Sequence, residues 1–380
     1  MQTQSYNSRR WRVLMRTPMP FDAGSVKKTA DRIRPEVRKL PAYRVPPQAA
    51  EIKLNQNENP FDIPRTLKED ILREALCIPW CRYPEPNPMT VREPLGRRLG
   101  LAPESILLSS GSNQLIGPVF RAILEPGDPL LICRPVFSLF RKTALMEGAR
   151  VVEIPLTESF DYDAEALLRE SAGAALTVLC CPNNPTGTVM DLFLLEKILK
   201  RTPGLVLWDE AYAEFWGQSA VSLIHRYSNL MILRTFSKAL GLAGLRVGFL
   251  AAHPTIAKQI GKLLMPFDVN VFSLLAARRL LEVGSYIDLQ TRKIVRSRNS
   301  LAEALKRIPG IRVVPSQANF ILFRAARADA LFEGLKKRSI LIRPMNDYPG
   351  LSDYLRVTVG TDEENALFLE AVNTIQKDMP

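Results

Sequence analysis

Three stretches decide the fold of this chain, and they read LTVLCCPNNPTG at residues 176–187, LVLWDEAY at residues 205–212 and LMILRTFSK at residues 230–238. Each begins with an apolar run, interrupted in these three stretches by Thr177 alone, and then turns abruptly polar. A half-buried strand alternates apolar and polar residues, whereas an unbroken apolar run is typical of a strand buried on both faces. The three stretches therefore predict central strands of a sheet that helices cover on both sides.

Short apolar runs of the same kind, with helical patterns between them, occur on both sides of these stretches. Further short apolar runs predict a set of strands, at 106–108, 130–133, 151–155, 176–181, 205–208, 230–233 and 247–251. Helical patterns lie at 65–76 and between the strands, at 114–124, 139–147 and 191–199. This order predicts an α/β fold, a three-layer αβα sandwich around a mostly parallel sheet.

A smaller α+β domain is predicted after that sandwich. A helix at 272–282 runs into a long polar helix that ends at 308, and short elements follow, with strands at 311–314, 320–324, 341–343 and 355–359 and helices at 328–337 and 363–375. We predict four regions, a basic and disordered N-terminal extension at 1–32, an arm at 33–65 that joins the small domain, a large ligand-binding domain at 66–275 and a small C-terminal domain at 276–380.

Charge and composition exclude several classes of protein. The formal net charge is +12, but residues 1–50 hold eleven Lys and Arg against three Asp and Glu. Because most of the basicity lies in this N-terminal stretch, we expect no nucleic-acid partner. No apolar run is long enough to cross a bilayer, so we expect no membrane contact. The five cysteines lack the spacing of a metal site, so we expect buried free thiols, no metal and a cytoplasmic protein.

The first twenty residues are rich in Arg and contain no acid. They lack the apolar core of a secretory signal. A disordered extension, an organelle transit segment and a translation start further along the chain remain open.

Polar and aromatic residues follow five of the predicted strands directly, at 109–113, 134–137, 182–187, 209–212 and 234–238. In an open α/β sheet, ligands bind outside the carboxyl ends of the strands. Each group alone is more often a helix cap, a turn or a surface ion pair. Their occurrence together predicts a ligand site at one edge of the sheet.

One part of this set suits a phosphate. Gly111, Ser112 and Asn113 offer backbone N–H groups at the start of a helix. Ser237 and Arg246 add a hydroxyl and a positive charge.

The rest of the set suits a substituted pyridine ring that carries an aldehyde. Asp209 can pair with a protonated ring nitrogen, Asn184 and Tyr212 can donate to a phenolate oxygen, and Phe137 can stack on the ring. Lys238 is an amine in an apolar segment, where loss of solvation favours the neutral nucleophile. Phosphate, ring and aldehyde together describe pyridoxal 5′-phosphate, which proteins hold through a lysine and an acidic partner of the ring nitrogen.

These residues carry a resemblance to a known family. The sequence TFSKALGLAGLRVG at 235–248, with NNPTG at 183–187 and DEAY at 209–212, resembles the signatures of class I/II aminotransferases, pyridoxal-phosphate enzymes of fold type I. From about residue 33 to residue 375 the chain is most similar to histidinol-phosphate aminotransferases. The matching pieces are RKLPAY at 38–43, IKLNQNENP at 52–60, RYP at 82–84, DEAYAEF at 209–215, ANF at 318–320 and LRVTVG at 355–360.

The resemblance implies a role for each matching residue. Lys238 would hold the cofactor covalently and move the substrate proton, Asp209 would keep the ring nitrogen protonated, and Asn184 and Tyr212 would bind the ring oxygen. The implied phosphate ligands are Ser110, Gly111, Ser112, Asn113, Ser237 and Arg246. Tyr83 would reach the cofactor phosphate of a partner subunit, which implies a homodimer. The implied substrate residues are Tyr43, Asn184, Arg343 and Arg356.

Two departures from the family pattern lie near the cofactor. The chain has Gly-Ser-Asn-Gln at 111–114 where the family usually has Gly-Ser-Asp-Glu, and Pro-Val-Phe at 135–137 where it often has Pro-Thr-Tyr. Backbone amides and a ring face survive both changes, so the cofactor chemistry is expected to survive as well.

The positive charges of two arginines indicate which class of substrate the site would bind. Arg356 alone would bind a carboxylate, whereas Arg343 beside it would favour a dianionic phosphate. The alternative is that Arg343 pairs with Asp347 or Asp353 on the surface. Two arginines favour an amino-alkyl phosphate such as histidinol phosphate. Together with this preference, the resemblance implies transamination of histidinol phosphate and imidazole-acetol phosphate with glutamate and 2-oxoglutarate, in histidine biosynthesis.

Other functions remain open at this point. They are an aromatic or other amino-acid aminotransferase, an amino-acid-phosphate decarboxylase on the same fold, a nucleic-acid-binding module and a catalytically inactive homologue.

Overall fold

The computed structural model describes residues 23–39 and 50–377. The chain divides into two units, residues 1–44 and 45–380. In the first unit, helices α1 (Ala23–Ala30) and α2 (Pro35–Arg38) lie within or just after the predicted extension. Tyr43 lies outside the described residues. The predicted region boundaries after residues 32, 65 and 275 stay predictions, and the last of them falls inside a helix of the second unit.

The second unit is built around a seven-stranded sheet. Its strands are β2 (Ile106–Ser109), β3 (Pro129–Arg134), β4 (Arg150–Pro155), β5 (Leu176–Cys180), β6 (Leu205–Asp209), β7 (Leu230–Thr235) and β8 (Gly248–Ala252). The order across the sheet is β2-β8-β7-β6-β5-β3-β4. Strand β8 runs antiparallel to β2 and β7, and the other neighbouring pairs are parallel. The predicted mostly parallel sheet is confirmed.

Helices accompany the strands of this sheet along the chain. They are α3 (Arg65–Leu76), α4 (Met89–Leu99), α5 (Asn113–Ile123), α6 (Ser138–Met146), α7 (Ala164–Glu170), α8 (Leu192–Arg201), α9 (Ala213–Trp216), α10 (Pro254–Gly261) and α11 (Val271–Glu282). Consecutive strand residues belong to different apolar clusters. Val178 and Leu207 pack into one cluster, whereas Leu179 and Trp208 pack into the other. Both faces of the sheet are therefore buried, which explains the unbroken apolar runs of its strands.

A second, antiparallel sheet has the order β12-β13-β10-β9. Its elements are β9 (Ile311–Val313), β10 (Phe320–Ala325), β12 (Arg343–Pro344) and β13 (Tyr354–Thr358), with helices α12 (Gly284–Lys306), α13 (Ala328–Lys337) and α14 (Asp362–Lys377). These elements share an apolar core of their own. The predicted α+β part is confirmed as a structural element.

A two-stranded parallel pair connects residues 52–54 with this second sheet. Strand β1 (Ile52–Lys53) pairs with β11 (Ile340–Leu341). Leu54 then bridges two segments, because its N–H donates to the carbonyl of Leu341 and its carbonyl accepts from Thr358, each at 2.8 Å. The segment after β1 is thereby held beside β13, where it enters the candidate site.

The helix predicted at 272–282 and the long helix predicted to end at 308 are confirmed as α11 and α12, which are separated at Val283. Two other expectations from sequence were wrong in detail. The strand predicted at 341–343 is two strands in different sheets, because Ile340 and Leu341 pair with β1 whereas Arg343 and Pro344 pair with β13. Cys77 and Cys81 are exposed rather than buried, since they follow the end of α3.

Two searches of the described ranges were negative. No helix there combines the length and the apolar character that crossing a membrane requires. No group of three or more His, Cys, Asp and Glu side chains is placed there to hold a metal ion.

Candidate active site

The sheet topology brings the sequence-predicted residues to one edge. Strands β5, β6 and β7 are adjacent and parallel, with Cys180 opposite Asp209 and Asp209 opposite Leu233. The loops that follow these three strands carry Asn184, Tyr212 and Lys238. Strand β2 points the same way, because it is antiparallel to β8, which is antiparallel to β7. The turn before α5 therefore lies at this edge as well.

The turn at 110–113 is packed too tightly for side chains at two glycines. Gly111 has φ +88°, and a Cβ there would lie 2.5 Å from Nη2 of Arg246. A Cβ on Gly248, at the start of β8, would overlap the backbone nitrogen of Ser112. Helix α5 begins at Asn113, and the Ser112 side chain makes no capping hydrogen bond. The positive end of this helix is therefore placed in a narrow turn beside a guanidinium, an arrangement suited to an anion.

Arg246 joins this turn to the lysine segment. Its Nη1 donates to Oγ of Ser237 at 3.3 Å and to the carbonyl of Ala243 at 3.1 Å. Its own backbone has φ +53°, in the left-handed region. Gly111, Ser237 and Arg246, predicted to bind one phosphate, are thus brought together.

Ser110, unlike its neighbours in the turn, donates both of its hydrogen bonds to Asp268. Its N–H donates to Oδ2 of Asp268 at 2.9 Å and its hydroxyl donates to the Asp268 carbonyl at 2.6 Å, while Ser109 donates to the same carboxylate. Asp268 therefore holds the turn in place by accepting hydrogen bonds from Ser109 and Ser110. No motif in the sequence marked Asp268, because it lies in a loop more than 150 residues away.

Lys238 lies in the interior of the site. Its Nζ donates to the carbonyl of Gln56 at 2.8 Å and lies 6.0 Å from the ring centroid of Tyr212. The pKa of this amine is lowered from 10.5 to about 7, mainly by burial and in addition by the positive charge of Arg356, whereas Glu58 opposes the shift. A large fraction of the amine is therefore neutral and nucleophilic at neutral pH.

Asp209 ends β6 with its carboxylate fully enclosed. Oδ1 accepts from the backbone N–H of Ala211 at 3.0 Å, and Oδ2 accepts from Sγ of Cys180 at 3.6 Å. Burial raises the pKa of this carboxyl from 3.8 to about 6, and these hydrogen bonds offset part of the rise. A positive group placed beside Asp209 would lower this pKa again and favour the ionised form.

The next residue, Glu210, forms a buried ion pair that ties β6 to β7. Arg234 on β7 donates to it through Nε at 2.8 Å and through Nη2 at 2.7 Å. Trp208, Ser219 and the N–H of Ala220 complete its hydrogen bonds. This acid is part of the framework that supports Asp209, a role the sequence did not reveal.

Asn57 is a site residue to which sequence reasoning gave no role. Its Nδ2 donates to the hydroxyl of Tyr212 at 3.0 Å, and its N–H donates to Oγ1 of Thr358 at 2.9 Å. Its φ of +54° is rare for a residue with a side chain. The ring of Tyr212 packs edge-on against Phe320. The signal for Asn57 was present in the NQNENP stretch, but only the fold shows which group its amide meets.

Arg356 connects the two sheets at the site. Its Nη1 donates to Oδ1 of Asn184 at 2.5 Å and its Nη2 to the carbonyl of Asn55 at 3.0 Å, while the guanidinium lies over the ring of Phe320. A predicted substrate residue thus contacts a predicted ring-binding residue.

Arg343 lies directly opposite Arg356 in the β12–β13 pair. Residues opposite each other in an antiparallel pair share a face of the sheet. The Nη2 of Arg343 lies 2.6 Å from Oδ2 of Asp347, so one of the two surface partners considered from the sequence is present.

Two aromatic residues that the sequence predicted to contact the cofactor lie at the outer parts of the candidate site. Phe137 caps the start of α6, and its ring packs edge-on against Phe140. Tyr83 is 82% exposed and stacks on Phe267 at 4.6 Å between ring centroids. The side chain of Tyr83 therefore lies at the surface.

Comparison with known proteins places the chain in a family. Residues 49–372 match the family model described as aminotransferase class I and II. Histidinol-phosphate aminotransferase of Chlorobaculum tepidum is 38% identical over 90% of this chain and 100% of its own length. The enzyme of that name from Roseiflexus castenholzii is 40% identical over 88% and 91%.

A solved structure shares the fold. The crystal structure of histidinol-phosphate aminotransferase from Sinorhizobium meliloti, in complex with pyridoxal-5′-phosphate, superposes with a TM-score of 0.83 at 26% identity, over 92% of this chain and 98% of that one. The fold predicted from the sequence, a fold type I αβα sandwich, is confirmed. From the matched family model and these relatives, the chain belongs to the class I and II aminotransferases.

Proposed function

We propose that this aminotransferase interconverts histidinol phosphate and imidazole-acetol phosphate, with glutamate and 2-oxoglutarate as the second pair, in histidine biosynthesis. The observation that carries the proposal is the arginine pair, in which Arg343 and Arg356 lie opposite each other on neighbouring strands and Arg356 contacts Asn184. The curated relatives that span nearly the whole chain carry the name histidinol-phosphate aminotransferase.

The residues present fit pyridoxal 5′-phosphate. The glycine turn at 110–113 and Arg246 form a cradle that a Cβ would fill. Within that cradle we assign the phosphate to Gly111, Ser112 and Asn113 together with Ser237 and Arg246. Ser110, which the sequence also placed at the phosphate, would act by shaping the turn, because its N–H and hydroxyl both donate to Asp268. When bound, this cofactor draws electrons from the substrate α-carbon, so that the α-proton can leave. Phe137 would cover one face of its ring.

Four side chains would divide the chemical work. The Lys238 amine, whose pKa of about 7 lets it accept and return a proton, would carry the proton from and to the substrate α-carbon. Asp209 would hold a proton on the ring nitrogen, because its buried carboxylate gains most from a cationic neighbour. Asn184 and Tyr212 would donate to the ring oxygen, with Tyr212 oriented by Asn57.

The substrate phosphate would displace Asp347 from Arg343. The side chains of that ion pair are 31% and 67% exposed, and an ion pair with this exposure contributes little to stability. A dianion held by two guanidinium groups forms more and stronger charge-assisted hydrogen bonds. Arg356 and Asn184 would bind the carboxylate of glutamate in the other half of the reaction, and Tyr43 would contact the substrate from the segment outside the described residues.

We extend the proposal to assembly and location. Tyr83, exposed and held on Phe267, would reach the cofactor phosphate of a second copy, so the enzyme would be a homodimer. The arm at 33–65, the large domain at 66–275 and the small domain at 276–380 are proposed as the working division. We propose a cytoplasmic location.

Half-reaction spectroscopy tests the proposal. The purified enzyme with bound cofactor is mixed separately with histidinol phosphate, glutamate, phenylalanine and tyrosine, and the cofactor absorbance is followed. Conversion should be most efficient with histidinol phosphate, and glutamate should also convert. A preference for phenylalanine or tyrosine would identify an aromatic aminotransferase, and release of CO₂ from an amino-acid phosphate would identify a decarboxylase.

A further inference from the structure

Cys180 occupies a position beside the acid of the site. It is the last residue of β5 and lies directly opposite Asp209, the last residue of β6. Its side chain is buried, and its carbonyl accepts a hydrogen bond from the hydroxyl of Tyr162 at 2.6 Å. The end of the strand is therefore held in place, and the sulfur with it.

The sulfur of Cys180 meets groups that the mechanism uses. Sγ lies 3.6 Å from Oδ2 of Asp209 and 3.5 Å from the carbonyl oxygen of Pro182, and the backbone amide of Asn184 faces it. Burial and the Asp209 charge raise the pKa of the thiol well above its usual value, so it keeps its proton and acts as a donor.

A thiol has one hydrogen, and two acceptors compete for it. A carboxylate is a stronger acceptor than a neutral carbonyl, because charge-assisted hydrogen bonds are about twice as strong. Oδ1 of Asp209 already accepts from Ala211. Of the described residues, Cys180 is the side chain that hydrogen-bonds Oδ2.

We propose that Cys180 is a positioning residue for Asp209, whose thiol holds Oδ2 while the Ala211 amide holds Oδ1, so that the carboxylate is fixed toward the cofactor ring nitrogen. The inference rests on the proposed function, which gives Asp209 its partner. The thiol donor also favours the ionised carboxylate over the neutral acid. Without it, the carboxylate would be freer to rotate and a weaker partner for a protonated ring.

The neighbouring residue offers a matched control. Cys181 is also fully buried, but it belongs to the apolar cluster on the other face of the sheet. Its sulfur lies 3.8 Å from the carbonyl of Met190 and accepts from the Met190 N–H at 3.3 Å. Replacing either cysteine with alanine removes the same sulfur atom from the core, but only one of the two replacements removes a contact to Asp209.

The first measurement needs no activity. The S–H stretching band of Cys180 is isolated in the infrared difference spectrum between the cofactor-free protein and its Cys180→Ala variant. Replacing Asp209 with Asn should shift this band to higher frequency, because the thiol loses its charged acceptor. An unchanged band would mean that the thiol donates to Pro182, and would overturn the proposal.

The second measurement is the affinity of the cofactor-free protein for pyridoxal 5′-phosphate. Cys180→Ala should weaken binding about tenfold, the loss expected for one hydrogen bond to a charged group. Cys180→Ser should recover most of the affinity, because its hydroxyl can donate to Oδ2. Cys181→Ala should lower the melting temperature similarly and leave the affinity unchanged. Equal losses of affinity in the two alanine variants would overturn the proposal.

Borohydride reduction separates this inference from the proposed function. If the cofactor is not fixed to Lys238 in the unmodified protein, the proposed function fails. If it is fixed there and the two alanine variants behave alike, only the role of Cys180 fails. Should Cys180→Ala not fold, the infrared comparison can use Cys180→Ser as the subtraction partner.

Discussion

The buried amine of Lys238 leads to a quantitative prediction about the cofactor-free protein. With a pKa of about 7 instead of 10.5, about nine-tenths of the amine is neutral at pH 8. An ordinary lysine has a neutral fraction roughly 300 times smaller at that pH. Since only the neutral amine attacks an aldehyde, covalent capture of pyridoxal 5′-phosphate should increase up to about pH 7 and level off above it.

The charges around the amine should move this inflection in opposite directions. Arg356→Met removes a positive charge that lowers the Lys238 pKa, so the inflection should move to higher pH. Glu58→Gln removes a negative charge that raises the pKa, so the inflection should move to lower pH. The assay measures the rate of cofactor capture across pH, with the adduct trapped by borohydride and located by peptide mass.

The same shift has a consequence for stability. Between about pH 7 and pH 10.5 the unfolded chain binds more protons at this position than the folded protein, so the free energy of unfolding should rise with pH across that window. Lys238→Met should remove this contribution. An inflection of capture above pH 9, or one that neither charge variant moves, would refute the argument that burial and Arg356 depress this pKa.

Four further predictions concern the rest of the site. Asp209→Asn should raise the free energy of unfolding of the cofactor-free protein, measured in urea at pH 7.5, by about 3 kcal/mol. The reason is that the pKa of the buried carboxyl is raised to about 6, so that its ionisation between about pH 4 and pH 6 costs stability. A lower stability of the variant would contradict this sign. Asn57→Ala should lower kcat about fivefold, the worth of one hydrogen bond of about 1 kcal/mol to Tyr212, and an unchanged kcat would remove that role. Arg343→Ala should reduce kcat/KM at least tenfold for histidinol phosphate and much less for glutamate, and equal losses would end the argument for a phosphate substrate. Gly248→Ala should weaken cofactor binding measured by titration, because the new Cβ displaces the phosphate turn, whereas Gly117→Ala, with open space around it, should not.

The local sequence was sufficient for the sheet and for the cofactor end of the site. Unbroken apolar runs mark strands buried on both faces, and polar residues directly after them mark the edge where those strands end. Asp209 and Lys238 were identifiable on this basis because Asp209 is the last residue of β6 and Lys238 follows the end of β7 by three residues. The strand and helix bounds differ from the predictions by only one or two residues at most places, since end residues lie partly outside the periodic pattern.

Contacts between distant segments depended on tertiary structure. Asn57 reaches Tyr212 because β1 pairs with β11 and places the segment after it beside β13, a pairing across nearly 300 residues. Asp268 braces the phosphate turn from a loop without any motif. No local pattern records either contact, because periodicity describes which face a residue occupies and not which distant residue it meets.

The sequence by itself therefore determined the layers of the fold and the chemical types gathered at one edge, because both follow from burial and from the direction of parallel strands. Only the tertiary structure decided the electrostatics of those groups. The pKa of the Lys238 amine depends on burial and on charges from three separate segments, and Arg356 reaches Asn184 across 172 residues of sequence. Solvation and distance set these properties, and both exist only once the chain has folded.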